Sequence, residues 1–275
     1  MTKANRKNEQ REIIQKAKLK RRQQIWNPDL PEKELAEFKV ACESMKRELD
    51  RVSRPASVAY TKHGDILSRS HVGGTALYRR KNWPFSKNRE WPRTKRGPMT
   101  LVLELFIEEL PFIPPALKGK ELLQLFLDLE ISKSERACAD ERKLQYNDGP
   151  WHIRTFDSLE GLAPVSKGEV LEGFNFSWGL EKTVPTYPDN LDAIDQKVSK
   201  AFETLPNSSE LYLDMTKNSF GGLKVGGWPT WLHGSDIGDF VLQLESQFVG
   251  LDLGFDEIIF IGRNRGKWDL AWEVG

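Results

Sequence analysis

One short pattern occurs twice in this sequence and constrains its fold more than any other feature. The two copies begin with Val72-Gly73-Gly74 and Val225-Gly226-Gly227. Each copy continues with a tryptophan-proline pair, then an apolar strand that carries an acidic residue, then a second apolar strand. In the first copy these are Trp83-Pro84, 101–105 and 122–129, and in the second they are Trp228-Pro229, 240–245 and 257–262. Two such β units packed together could bury a core that neither supplies alone. The sequence therefore predicts an internal duplication, with repeats at about residues 72–131 and 225–275.

Alternation of apolar side chains predicts most of the strands. From residue 101 to 107 the odd-numbered positions are all Leu or Ile and the even-numbered ones are partly apolar, which is typical of a strand covered on both sides. Further alternations are Phe174/Phe176/Trp178, Leu211/Leu213/Met215 and Trp268/Leu270/Trp272/Val274. Residues 121–131 fit either a strand or a helix, and their length after a proline-rich turn favours a buried strand. Within the strand that contains it, Glu104 shares a face with Thr100 and Glu108, which suggests a solvated rim.

Two segments have the period of an amphipathic helix. The first spans residues 31–52, and its apolar stripe consists of Leu35, Phe38, Cys42, Met45, Leu49 and Val52. The second spans residues 190–205, with Asp189 or Asn190 as its N-cap. The basic segment 5–24 is either a solvated helix or a mobile arm, since it offers few apolar positions.

These patterns together predict an α+β protein with an internally duplicated, mainly antiparallel β-sheet core, peripheral helices and an N-terminal helical extension. At 275 residues and 39% hydrophobic composition, the chain can bury a substantial core. We expect residues 1–52 to form the basic arm and amphipathic helical extension, and residues 53–275 to form a single domain that contains both repeats.

The formal net charge of +1 conceals a strong asymmetry. Residues 1–24 contain nine Lys or Arg and two Glu, and residues 79–96 contain eight Lys or Arg and one Glu. Residues 97–275 contain 16 Lys or Arg against 29 Asp or Glu. This acidic excess favours cationic partners and repels nucleic acid, unless the two basic segments alone make the contact.

Several protein classes are disfavoured by the sequence. It has no run of 18 apolar residues for a membrane span, and its basic N-terminus lacks the apolar segment of a secretory signal, so we expect a cytoplasmic protein without a membrane partner. Cys42 and Cys138 are far apart and have neither disulfide-framework nor metal-ligand spacing. We interpret both as ordinary thiols.

The repeated motifs resemble those of the YwqG-like family, a bacterial family of unassigned biochemical function. The resemblance covers roughly residues 55–275. Its first signature corresponds to Gly73-Gly74, Trp91-Pro92 and Gly97-Pro98-Met99 before the strand, and its second to Gly226-Gly227-Trp228-Pro229 followed by Leu242-Gln243-Leu244. The resemblance implies an internally duplicated α+β fold. For the branch found beside toxin genes, it also implies neutralisation of a toxin by binding.

The chain departs from the family pattern at three places. Thr75-Ala76-Leu77 replaces the proline that commonly follows the first Gly-Gly pair, Glu104 stands where a Gln is usual, and His233 stands where a second Gln is usual. If those amides bind a common ligand in the family, this chain is not expected to bind it.

Three clusters were considered for chemistry, and none has a catalytic signature. The glycines of 221–238 match neither the dinucleotide nor the Walker pattern and are explained by turns. His233, Asp236 and Asp239 have metal-like spacing but are also common in polar turns. Glu104 and Glu245 could form a twofold-related acid–base pair, but the alternation that places Glu104 with Thr100 and Glu108 favours a solvated rim instead. No catalytic residue, metal site or cofactor is therefore predicted.

The remaining patterns leave three functions open. The first is a non-enzymatic immunity-type protein that binds a cognate toxin, such as a basic nuclease, through acidic loop residues such as Asp236, Asp239 and Asp256. The second is a small-ligand protein or enzyme that uses a cleft between the repeats. The third is nucleic-acid contact through residues 1–24 and 79–96, where Trp83, Phe85 and Trp91 are interleaved with cations. The acidic excess of residues 97–275 disfavours the third.

Overall fold

The computed structural model describes residues 3–60, 68–79, 91–129, 150–165, 171–186, 193–216, 222–230, 237–248 and 257–274. The chain forms two compact units, one of residues 1–53 and 184–218 and the other of residues 54–183 and 219–275. The first unit is helical and the second is β-rich. The helical unit includes the predicted extension of residues 1–52 and also the returning segment 184–218.

The helical unit contains four α-helices in its described residues: α1 (Lys3–Trp26), α2 (Glu32–Val52), α3 (Gln196–Glu203) and α4 (Ser208–Met215). The predicted helix of residues 31–52 is confirmed as α2, and its stripe forms a core with α3, α4 and the turn before α3. The core residues are Phe38, Cys42, Met45, Leu49, Ile194, Phe202, Leu211 and Tyr212. The apolar stripe therefore docks on the chain itself.

Two helical predictions need correction. The second helix is Gln196–Glu203, and the Asp195 carboxylate caps it by accepting hydrogen bonds from the backbone N–H groups of Lys197 and Val198. The predicted N-caps Asp189 and Asn190 lie outside the described residues. The predicted strand at Leu211, Leu213 and Met215 is instead part of α4, in which Leu211 is buried and Leu213 is exposed. Alternation over five residues is too short to separate a strand from two helical turns.

The C-terminal end of α1 is fixed to α4 by polar contacts. The Arg22 Nε and the Trp26 Nε1 each donate to the Asp214 carboxylate at 2.8 Å, and Arg21 pairs with Glu210. Ile14 and Leu19, further from this end, are exposed. Segment 5–24 is therefore part of a helix whose C-terminal end is anchored to α4. None of the described helices is long and apolar enough to cross a membrane.

The β-rich unit contains thirteen described strands in three antiparallel sheets. They are β1 (Arg54–Tyr60), β2 (His71–Val72), β3 (Ala76–Arg79), β4 (Thr100–Phe106), β5 (Leu122–Leu127), β6 (Trp151–Phe156), β7 (Leu162–Val165), β8 (Phe174–Asn175), β9 (Ser177–Thr183), β10 (Leu223–Gly226), β11 (Asp239–Glu245), β12 (Glu257–Asn264) and β13 (Lys267–Val274). The six-stranded sheet has the order β13-β12-β11-β10-β1-β9, the five-stranded sheet β6-β5-β4-β2-β8, and β3 pairs with β7. The α+β class with a mainly antiparallel sheet core is thus confirmed.

The two larger sheets share one hydrophobic core. Val72, Leu103 and Leu125 of the five-stranded sheet belong to the same buried cluster as Val225 and Leu242 of the six-stranded sheet. Residues 174–178, predicted as one strand, divide between the sheets, because β8 ends at Asn175 and β9 begins at Ser177. The intervening Phe176 is fully buried in the shared core.

The two predicted repeats have the same strand order and register. Strands β2-β4-β5-β6 and β10-β11-β12-β13 each form an antiparallel meander, in which β6 lies beyond the predicted end of the first repeat at about residue 131. Val72 pairs with Leu103 in the first, and Val225 pairs with Leu242 in the second. A register shift follows at the same place in both, just before Leu103 and just before Leu242. These shared features favour a duplication, which stays a prediction.

Candidate functional site

A row of polar side chains crosses the whole five-stranded sheet on the face away from the shared core. Directly paired residues of neighbouring strands supply one member each: Asn175 (β8), His71 (β2), Glu104 (β4), Gln124 (β5) and Arg154 (β6). Because successive side chains of a strand alternate between faces, the flanking Leu and Ile residues enter the core while this row lies opposite. Glu104, Gln124 and Arg154 are nevertheless almost fully buried. The rim predicted for Glu104 is therefore wrong.

Strand β3 covers this polar row and is bound to it by hydrogen bonds. The backbone N–H of Leu77 donates to the Glu104 carboxylate at 2.8 Å, and Gln124 Nε2 donates to the Leu77 carbonyl at 2.7 Å and to Glu104 at 2.6 Å. His71 Nε2 lies 3.9 Å from the other Glu104 oxygen. Burial raises the pKa of Glu104, while the hydrogen bonds from Leu77 and Gln124 and the nearby positive charge of Arg154 oppose that rise.

The far end of the row is aromatic as well as cationic. The Arg154 guanidinium lies 4.7 Å from the ring centre of Phe126 and 5.2 Å from that of Tyr78. Burial lowers the pKa of Arg154 to about 10, against the attraction of Tyr78 and Glu104. Burial, helped by the charge of Arg154, lowers the pKa of His152 to about 4. At neutral pH the arginine is therefore charged and the histidine is neutral.

The six-stranded sheet has a second polar group at the corresponding place. Lys224, between Leu223 and Val225 of β10, has no exposed surface, and its Nζ donates to Thr230 Oγ1 at 2.8 Å. The backbone N–H of Thr230 in turn donates to Gln243 Oε1 at 2.9 Å. Burial lowers the pKa of Lys224 to about 7, against the charge of Glu245. An amine of this kind is partly neutral at physiological pH.

The counterpart of Glu104 is Gln243, not Glu245. Glu104 pairs with His71, one residue before Val72, and Gln243 pairs with Lys224, one residue before Val225. The proposed acid–base pair of Glu104 and Glu245 is therefore wrong in register. It is also wrong in chemistry, because the equivalent residue carries an amide.

The predicted motif glycines form the turns that lead into two buried clamps, in which Glu104 accepts the Leu77 N–H and Gln243 accepts the Thr230 N–H. Gly73, Gly74, Gly226 and Gly227 all have positive φ, between 62° and 78°. Such a conformation strains other residues, which accounts for a Gly-Gly pair at the end of β2 and of β10. The turns carry the chain from the strand end onto the outer face of the sheet.

The two motif tryptophans described by the structure have different surroundings. Trp91 is buried, donates from Nε1 to the Met99 carbonyl at 2.8 Å and packs edge-on against Phe126. Trp228 stacks under Arg54, whose guanidinium lies 3.5 Å from the ring centre, and Pro229 follows it directly. Trp91-Pro92 and Trp228-Pro229 thus anchor loops on the β-rich unit.

Of the predicted partner-binding residues, only Asp239 lies in the described part of the chain. It is exposed at the start of β11, opposite Arg263. The described residues do not include Asp236, Asp256, His233 or the tryptophan-proline pair at Trp83. Within the described residues, no group of three His, Cys, Asp or Glu is placed to hold a metal ion.

The sequence reasoning missed Gln124, Arg154 and Lys224. The available signal was a polar residue within an apolar stretch, as in Leu123-Gln124-Leu125 and Leu223-Lys224-Val225. Such a residue on a doubly covered strand must be buried and must find a partner. With this geometry known, comparison with known proteins gives no further assignment, because no family model and no curated protein matches the chain.

Proposed function

We propose that this chain is a non-enzymatic binding protein of the immunity type, which neutralises a basic protein toxin by binding it in the cytoplasm. The resemblance of its motifs to the YwqG-like family suggested this role, and the distribution of charge supports it. The observation that carries the proposal is that buried ionisable groups such as Glu104 and Lys224 are held in structural contacts, while residues 97–275 have an excess of acidic groups, some of them exposed.

The buried ionisable groups are engaged in contacts that hold the fold. Glu104 binds the backbone of β3, Lys224 binds Thr230, and Asp214 binds the end of α1. Shifted pKa values often mark catalytic groups, but ion pairs and clamps of this kind shift pKa values as well. The shifts of Glu104 and Lys224 therefore give no reason to assign a reaction.

The exposed acidic groups are the ones available to a partner. Residues 97–275 contain 29 Asp or Glu against 16 Lys or Arg, and only a few of the described acids are buried. Exposed examples in the described residues are Glu160, Glu172 and Asp239, whereas the exposed Glu108 and Asp157 are paired with Arg69 and Lys120. Such a surface attracts a cationic protein from a distance and fixes its orientation on contact.

Co-expression with the product of the adjacent reading frame tests this proposal. We expect that product alone to arrest bacterial growth, and co-expression of this chain to restore growth and give a complex that survives size-exclusion chromatography. An adjacent product without toxicity, or a toxic one that this chain neither binds nor neutralises, would contradict the proposal.

Binding of a small anion is a second candidate function. Gln243 Nε2 is buried and has no hydrogen-bond partner among the described residues. Lys224, whose amine donates to Thr230, lies opposite Gln243 in the β10–β11 register. Two buried donors of this kind would suit a phosphate or carboxylate. In a thermal-shift series, phosphate, sulfate or acetate should raise the melting temperature of the native protein but not that of Lys224→Met. Equal shifts in both proteins would exclude this site.

A further inference from the structure

The helical unit contains a pocket of about 540 Å³ that lies among the ends of three helices. Its wall includes Trp26 of α1, Leu49 and Asp50 of α2, and Asp214 and Met215 of α4, together with Val184. The volume falls in the range of pockets that hold a small ligand or a long side chain. The chemistry of these residues indicates what it would hold.

The backbone around this pocket favours positive charge. Helix α1 ends at Trp26, α2 at Val52 and α4 at Met215, so three C-terminal ends meet there. A helix C-terminus carries about half a negative charge from its unpaired carbonyl groups. Neither α1 nor α4 has a basic residue in its last turn, and Arg51 in the last turn of α2 is paired with Glu48. The three ends thus attract a cation.

Of the two carboxylates that line the pocket, one has no hydrogen-bond or ion-pair partner among the described residues. Asp214 is almost buried and already accepts hydrogen bonds from Arg22 and Trp26. The Asp50 side chain is exposed and makes no hydrogen bond or ion pair with any residue in the described part of the chain. Arg22 is neutralised by Asp214, and Lys46 bonds to Glu43 at 2.7 Å. The charge left over in the pocket is therefore negative and lies at Asp50.

The remaining walls suit a long side chain that ends in a cation. The Trp26 ring already attracts one cation, since Lys46 Nζ lies 4.7 Å from its centre. Leu49, Val184 and Met215 supply an apolar wall against which a methylene stem can pack. Lysine and arginine combine such a stem with a terminal positive charge.

We propose that this pocket receives a lysine or arginine side chain of a basic partner protein, with its cation on the Asp50 carboxylate. The inference rests on the proposed function for the identity of the partner, and on the pocket itself for the chemistry. Asp50 is then the residue that determines the preference for a cation. The partner side chain lies with its stem along Leu49 and Met215 and its charge at the three helix ends.

The pocket can be tested without the partner, with n-butylguanidinium as the probe and n-butylurea as its neutral isostere. The reporter is the Trp26 indole N–H resonance in a ¹H–¹⁵N spectrum, assigned with Trp26→Phe. We expect a saturable shift with n-butylguanidinium alone, and affinity about tenfold lower in Asp50→Asn. The matched control, Asp29→Asn, removes an exposed carboxylate from the α1–α2 connection and should bind the probe normally. Equal responses to both probes, or unchanged affinity in Asp50→Asn, would overturn the proposal.

The same variants separate this inference from the proposed function. If n-butylguanidinium binds as expected but the adjacent gene product does not bind the chain, the pocket stands and the toxin proposal fails. If the toxin is bound and neutralised equally well by native protein and Asp50→Asn, the pocket proposal fails and the immunity function stands.

Discussion

The Glu104 carboxylate and the Gln243 amide oxygen have the same role in the two halves of the β-rich unit. Each accepts the backbone N–H of the residue five positions after the Val of a Val-Gly-Gly turn, Leu77 at 2.8 Å and Thr230 at 2.9 Å. Both therefore hold the segment that leaves the turn against the outer face of its sheet. This equivalence gives the buried Glu104 carboxylate and the Gln243 amide oxygen a structural explanation.

The clamp at Glu104 can be tested with two substitutions. Glu104→Gln keeps an acceptor for the Leu77 N–H, just as Gln243 accepts the Thr230 N–H. Glu104→Leu leaves both the Leu77 N–H and the Gln124 amide without this acceptor. We expect the leucine variant to be less stable than the glutamine variant by about 1–3 kcal/mol in urea unfolding. Equal stability of the two would show that Glu104 is not a clamp.

The turn after β10 requires glycine for two reasons, which a matched pair can separate. Gly227 and Gly266 have similar positive φ, 76° and 80°. A Cβ on Gly227 would lie 2.8 Å from the Ala56 Cβ and closer to Thr183 Oγ1, whereas one on Gly266 would meet nothing within 4 Å. Gly266→Ala should cost about 1–2 kcal/mol from backbone strain, and Gly227→Ala should cost more. Calorimetric unfolding measures the difference, and similar losses would contradict the close approach.

Burial of Lys224 should make stability depend on pH. Its pKa is lowered to about 7 in the folded protein from an ordinary 10.5, so above pH 7 the unfolded chain binds a proton that the folded chain does not. Stability should therefore rise with pH from about 7 to 9, by up to about 1.4 kcal/mol per unit. Above about pH 9 the Cys42 thiol acts in the opposite direction, because burial raises its pKa from 9.0 to about 11.

Chemical unfolding at several pH values tests this slope. Lys224→Met should remove it, and Lys182→Met, which replaces an exposed lysine of β9, should retain it. A slope shared by all three proteins would assign the effect to other groups.

The part of α1 that precedes its contacts with α4 should be dispensable for stability. Residues 14–20 are exposed, so deletion of residues 1–18 should change the free energy of unfolding by less than about 0.5 kcal/mol. Arg22→Met should cost about 1–2 kcal/mol, because it leaves the nearly buried Asp214 with less compensation. A large loss on deletion, measured by thermal unfolding, would show that the exposed part of α1 also stabilises the unit.

Long periodic patterns predict much of the fold correctly, whereas short local patterns do not identify the type of an element. The stripe of α2 extends over about five turns and the strand at 101–107 has apolar residues on both faces, so the type of each is clear from the sequence. Helix α4 has two turns and no strong stripe, so Leu211–Leu213–Met215 was interpreted as a strand. The predicted exposure of Glu104 is wrong because β3, which covers this residue, comes from a separate part of the chain. The pocket was not predictable, since it needs Trp26, Asp50 and Asp214 from three distant segments.

The most direct test of the central claim is the rate of association with the purified product of the adjacent reading frame at two ionic strengths. If the acidic surface attracts a basic toxin, the association rate should fall about tenfold or more between low and high salt, while dissociation changes little. Charge reversal at Asp236, Asp239 and Asp256 should slow association further at low salt. Absence of a complex, or an association rate that is insensitive both to salt and to all three reversals, would contradict the account.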